Sequence, residues 1–180
     1  MSFNETHPEA DLPPLLGLAR QAIGWHFDGR DVNAEGLYPR ATAPQACFVS
    51  LKAMPGDRLR GCIGTLEPTK PTLEEEVVVN SLAAATRDPR FEPLRPQELP
   101  GLRISIDLLS APESVESMAA LDPERYGLIV RAGSRCGVLL PMLPGVDSAE
   151  KQISICREKG RIKPNEPVSM ERFTVERLSE

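Results

Sequence analysis

Apolar and polar residues alternate most strictly over residues 102–108, where Leu102, Ile104, Ile106 and Leu108 interleave with Arg103, Ser105 and Asp107. A period of two sends successive side chains to opposite faces, so this segment predicts a strand with one face buried. The same period appears in Cys47, Val49, Leu51 and Ala53 against Phe48, Ser50 and Lys52. Pro55-Gly56-Asp57 then supplies turn chemistry, and Leu59, Gly61 and Ile63 alternate with Arg60, Cys62 and Gly64. Together they predict an antiparallel hairpin. A second hairpin is expected from Tyr126–Arg131 and Cys136–Leu140 around Ala132-Gly133-Ser134, stopped by Pro141 and Pro144. Alternation resumes at Phe173, Val175 and Arg177 against Thr174, Glu176 and Leu178, predicting a last strand that returns to the sheet.

The helical period occupies three other stretches. Leu15, Ala19, Ala22, Ile23, His26 and Phe27 recur at helical spacing behind a cap at Asp11 and prolines at 13 and 14, with an end by Gly29. Thr72-Leu73-Glu74-Glu75 reads as a capping box, and Leu73, Val77, Ser81, Ala84 and Ala85 mark one face of a helix to about Thr86. Arg87-Asp88-Pro89-Arg90-Phe91 ends it, because the residue before a proline is pushed out of the helical region. The third helix is expected from Ser148 to about Lys159, whereas residues 31–44 have no period and read as a connection. Strands arriving as hairpins without regular helix crossovers favour α+β, a mainly antiparallel sheet flanked by helices, over a doubly wound fold.

Composition narrows the function. A chain of 180 residues with 41% hydrophobic residues buries a core of its own and is read as a single domain, with residues 1–10 polar and flexible. Proline accounts for 18 residues and aromatics for 4%, so the elements are short, the core is aliphatic and extensive stacking on bases is not expected. The net charge of -5 argues against a chain dedicated to nucleic acid or to an anionic membrane. With no apolar run long enough to span a bilayer and no export signal, the expected location is the cytoplasm, with Cys47, Cys62, Cys136 and Cys156 as free thiols. Zinc, calcium-loop, dinucleotide and Walker A spacings are missing, so neither metal nor cofactor is expected.

The candidate chemistry gathers in Leu59-Arg60-Gly61-Cys62-Ile63-Gly64. In a strand, Arg60 and Cys62 share a face, and a guanidinium beside a thiol raises its thiolate fraction. Gly61 and Gly64 then leave room for a ligand to approach the backbone. The competing reading makes Cys62 a small packed residue and the glycines servants of a bulge or a close sheet contact. Arg90 has the same two readings, one presenting it to an anionic ligand and one pairing Asp88 with it at a helix stop. His26 is expected to pack on its helix rather than serve Cys62, and His7 falls in the polar leader. The basic run Arg157, Lys159, Arg161 and Lys163 reads as a solvated face, with RNA contact as the alternative.

The hexapeptide at 59–64 resembles the signature of the AMMECR family, named after the Alport syndrome, midface hypoplasia and elliptocytosis chromosomal region, and Arg87-Asp88-Pro89-Arg90-Phe91 resembles its second motif. The resemblance extends from about Leu15 onward through 104–109, 127–129, 137–141 and the terminal strand. It implies a larger subdomain that includes both termini around an antiparallel sheet, a smaller subdomain, and a cleft between them toward which the hexapeptide cysteine looks. Bacterial and archaeal members are similar to component A of a system, AmmeMemoRadiSam, that pairs such a protein with a Memo-like protein and a radical S-adenosylmethionine enzyme. Cys156-Arg157-Glu158-Lys159-Gly160 keeps the cysteine, lysine and glycine of the family's Cys-x-Lys-Ala-Gly but carries a glutamate in place of the alanine, and the aromatic residue often seen downstream is not evident around Lys163 to Glu166. Three expectations follow. The first is an enzyme or enzyme-system component that acts on a small anionic or carbonyl ligand through Cys62 and Arg60, with Gly61, Gly64 and Arg90 in support. The second is a noncatalytic adaptor for a Memo-like or radical S-adenosylmethionine partner, and the third an RNA-modification accessory.

Overall fold

A computed structural model describes residues 14–32 and 42–180. The expected fold class holds: the described residues form α+β architecture with three α-helices and two four-stranded antiparallel sheets. The chain divides into two compact units, one of residues up to Leu108 with Arg177–Glu180, the other Leu109–Glu176.

In the first unit, α1 (Pro14–Phe27) buries Leu16, Leu18, Ala19, Ala22 and Ile23. Its end is fixed by backbone chemistry: Arg30 N donates to Trp25 O and Gly29 N to His26 O, while Gly29 takes φ 67°. This is a Schellman closure, which needs a left-handed residue at the position Gly29 fills. The cap expected at Asp11 lies outside the described residues, as does most of the connection at 31–44. Strands β1 (Cys47–Ala53) and β2 (Arg58–Gly64) form the predicted hairpin. β3 (Leu102–Leu109) flanks β1 on its other side, giving the order β2-β1-β3-β8, in which β8 is Val175–Ser179. Cys47, Val49, Leu51, Ile104, Ile106 and Leu108 point into one core with α1 and α2 (Leu73–Thr86).

Helix α2 begins where Thr72 Oγ1 accepts Glu75 N–H at 3.2 Å, as the capping pattern predicts. Its burial differs from the expected single face, because Glu74, Glu76 and Asn80 are buried as well. Hydrogen bonds make this tolerable. Glu76 accepts Thr69 N–H at 2.8 Å, Lys70 N–H at 2.9 Å and the Thr65 hydroxyl at 2.5 Å, which ties the segment after β2 to the helix.

The second unit holds β4 (Glu113–Val115), the β5 (Gly127–Ala132) and β6 (Arg135–Leu139) hairpin, and β7 (Ser169–Phe173), in the order β4-β7-β5-β6. Helix α3 (Ala149–Lys159), capped by Ser148, packs on it through Cys156 over Leu128, Val130, Ala132 and Leu139. Gly137 and Gly160 meet where strand and helix touch. The single last strand expected from Phe173 is two strands: β7 ends at Phe173 in this sheet, and β8 (Val175–Ser179) belongs to the first. Thr174 is the break, its N–H donating to Ser110 Oγ and its carbonyl accepting Ser110 N–H, each at 3.0 Å. Sequence alternation runs through this residue and does not reveal the change of sheet.

Candidate functional site

The first sheet turns Cys47, Val49 and Leu51 inward, so the alternate residues share its other face. Register places Cys62 opposite Ser50 and Ser50 opposite Ser105, a row that crosses three strands. The next row along is Gly64, Phe48 and Asp107. Cys62 is partly exposed, and its Sγ accepts the Ser50 hydroxyl at 3.2 Å. Hydroxyl donation stabilises sulfur most when it is anionic.

Cys62 lies on the sheet's edge strand, whose outward backbone groups have no neighbouring strand. The Arg87-Asp88-Pro89-Arg90-Phe91 segment supplies the missing partners. The Asp88 carboxylate accepts Cys62 N–H at 2.8 Å, and Arg90 Nη2 donates to Cys62 O at 3.3 Å. Arg90 Nε and Nη2 also hold the two Asp88 oxygens at 2.9 and 2.7 Å. The Arg90 guanidinium first, then the Cys62 and Arg90 backbone N–H groups, hold the buried Asp88 carboxyl far below the usual carboxylate range. The two sequence motifs therefore form one device. The helix-stop segment clamps the backbone on both sides of the thiol-bearing residue.

Arg60 goes elsewhere. A bulge between Leu51 and Lys52 pairs Leu51 with Gly61 and Lys52 with Leu59, leaving Arg60 as the extra residue. Leu59 consequently shares the Lys52 side rather than the Ile63 side. Arg60 Nε and Nη2 hold Glu98 at 2.8 and 3.1 Å, while Nη1 and Nη2 reach Glu92 O and Pro93 O at 2.8 and 3.4 Å. That pairing draws the Glu98 carboxyl below its ordinary value. The guanidinium bonded to the Cys62 backbone is that of Arg90, not Arg60.

The glycines stand at close contacts. A Cβ on Gly61 would lie 2.2 Å from Ala84 O of α2, and one on Gly64 would lie 2.3 Å from the Phe48 ring across the strand pair. His26 packs its ring 5.8 Å from that of Phe27. In the basic run, Lys159 donates to Val138 O at 2.7 Å and Arg157 to Lys163 O and Glu166 O at 2.6 and 3.1 Å. Arg157 closes the segment after α3, and Lys159 ties the helix to β6. His7 lies outside the described residues.

Two site residues escaped sequence reasoning. Asp107 is buried on the Cys62 face, and Arg177 of β8 holds its oxygens at 2.6 and 2.9 Å. The Asp88 carboxylate raises the affinity of Arg90 for its proton and the Asp107 carboxylate that of Arg177, and the nearby Cys62 adds to both. Strand order alone brings Arg177 here, and no local pattern signals it.

All four cysteines are free. Burial pushes the Cys47 and Cys156 thiols up to about 12. A thiol-exchange titration of the native protein is expected to leave both unmodified while Cys62 and Cys136 react, and to reach all four after denaturation.

Asp88 and Glu98 set a pH dependence. Their folded carboxyls are depressed below unfolded values of about 3.9 and 4.3, so the folded state binds fewer protons and gains stability as pH rises through that range. The gain is fully present above about pH 5 and is lost as pH falls through the folded values. Urea unfolding between pH 2 and 6 is expected to show a decline that is shallower in Asp88→Asn.

An α+β chain whose thiol sits on a sheet face, clamped by an Asp-Pro-Arg turn, defines the class of protein. The chain belongs to the AMMECR1 family, matched over residues 16–178. A protein of Thermotoga maritima is 49% identical over 131 residues, covering 72% of this chain and 75% of that one. A Clostridium acetobutylicum protein is 44% identical over 133 residues, 74% of this chain but 28% of that longer protein. The crystal structure of an uncharacterized protein from Pyrococcus horikoshii is similar with a TM-score of 0.82 and 29% identity, covering 92% of this chain and 89% of that one. Among the described residues no helix is long and apolar enough to cross a membrane.

Proposed function

We propose that the Cys62 face of the first sheet binds a small anionic carbonyl compound, with Cys62 as the nucleophile or contacting thiol and Arg90 as the group that holds the anion. The observation that carries this reading is the clamp: Asp88 and Arg90 fix the Cys62 backbone on both sides while Ser50 donates to its sulfur. Such a thiol is preorganised. In the covalent step sulfur adds to the carbonyl carbon, the C–S bond forms, the π pair moves to oxygen, and that oxygen takes the proton released from the thiol. Arg60, with its three nitrogens engaged, braces the bulge beside the site, Gly61 lets the helix close behind it, and Gly64 lets the Phe48 ring lie next to it on the same face. Four free thiols suit a reducing compartment, so the cytoplasm is the proposed location.

Protection against alkylation tests the reading. Glyoxylate is expected to slow iodoacetamide modification of Cys62, read by peptide mass, while acetaldehyde at equal concentration does so far less. Equal protection by the two, or none by either, would remove the anionic carbonyl ligand.

A second reading is favoured by the Clostridium relative, in which the matched region is 28% of a larger protein. Here the chain is an adaptor for a Memo-like or radical S-adenosylmethionine partner. A stable complex with such a partner that Cys62→Ser leaves intact, with no ligand effect on Cys62, supports the adaptor. Intact assembly with lost turnover supports the enzyme.

A further inference from the structure

Two sets of the described arginines contrast in how they are held. Arg20, Arg60 and Arg172 each donate from Nε, Nη1 and Nη2, and so act as braces with no edge left over. Arg90 and Arg177 differ. Each turns its Nε and Nη2 edge to one buried carboxylate, Asp88 or Asp107, and among the described residues Nη1 of each makes no hydrogen bond, while the Arg90 guanidinium also lies 5.4 Å from the Phe91 ring. Their side chains are 55% and 46% exposed, while the carboxylates that aim them are 2% and 3% exposed. A buried carboxylate behind a half-exposed guanidinium fixes its direction, and the free edge can then hold an acid group without the entropy cost of ordering a long side chain.

Placement makes these two a pair. Arg90 stands at the outer edge of β2, on the Cys62 carbonyl. Asp107 lies on β3, in the row next to that of Cys62 and Ser50, and Arg177 reaches it from β8 on the far side. β1 separates β2 from β3, so Cys62, which Arg90 touches, and Asp107, which Arg177 holds, lie on strands about two spacings apart, roughly 10 Å, with Ser50 on the strand between. No short acid spans that gap.

Resting on the reading of this face as an anion site, we infer that its ligand is an elongated dianion, with one acid group on Arg90 and the other on Arg177, laid across Cys62 and Ser50. Arg177 is then the residue that selects for length and for the second charge. Compact diacids and monoacids meet only one of the two edges.

Linear acids serve as the probe, with iodoacetamide alkylation of Cys62 in the full chain as the readout. Adipate is expected to protect Cys62 at a concentration about tenfold lower than hexanoate or malonate, the worth of one charge-assisted hydrogen-bonded contact. Arg177→Gln should bring adipate to the level of hexanoate, and Arg177→Lys, which keeps the charge near Asp107, should restore part of the advantage. Arg90→Gln should weaken both acids. Equal protection by adipate and hexanoate on the unaltered protein overturns the dianion while leaving a monoanion site in place. An adipate advantage that survives Arg177→Gln in a protein that still unfolds cooperatively overturns the assignment of the second acid group to Arg177. Protection by none of the acids removes the anion site itself, and the inference with it.

Discussion

Asp88→Ala is expected to lower the unfolding free energy by about 3 kcal/mol, the range measured when one member of a buried pair is removed, taken at its lower end because Arg90 is half exposed. Two losses combine. The Cys62 N–H loses its acceptor on an edge strand that offers no other, and Arg90 loses both bonds that aim it. Denaturant unfolding measures the first. The second should appear as faster and less selective alkylation of Cys62, because the clamp that orders its backbone is gone. A variant as stable as the parent would mean that Asp88 does not hold the edge.

Alanine at Gly61 or Gly137 is expected to cost about 2–3 kcal/mol, the cost of forcing extra volume into a packed contact. The new Cβ would lie 2.2 Å from Ala84 O at position 61, and 1.7 Å from Cys156 O at position 137. Both obstacles are helix backbone, which cannot swing aside as a side chain can. At each site strand and helix must separate, and thermal unfolding in the two variants should fall by several degrees. For Gly61 this also divides its two sequence readings. A glycine kept for ligand approach would lose protection of Cys62 with little loss of stability, whereas one kept for the strand-to-helix contact loses stability first.

The sequence was informative where one local rule decides the outcome. The alternation at 102–108 became β3, Pro55-Gly56-Asp57 turned the β1–β2 hairpin, and Thr72 capped α2. It misled where a local rule breaks without a local sign. The pairing of Arg60 with Cys62 assumed unbroken alternation, and the bulge at Arg60 cancels it. Glu74, Glu76 and Asn80 lie off the face that the helical spacing marks, yet they are buried among partners contributed by residues 42–70. The site was half legible. Cys62 and Arg90 stood out as motifs, but that Asp88 caps the strand 26 positions earlier follows only from the edge position of β2. Asp107 and Arg177, separated by 70 positions, become a pair only through strand order.

The proposed site requires that Cys62 work beside guanidiniums with free edges. The direct measurement is the ratio of its alkylation rates by iodoacetate and by iodoacetamide, compared with the same ratio for glutathione. Cationic neighbours attract the anionic reagent, so the Cys62 ratio should exceed that of glutathione by about tenfold at low ionic strength, and shrink as salt is added. Arg90→Gln should lower it further. A ratio at or below that of glutathione, or one indifferent to salt, would contradict the account.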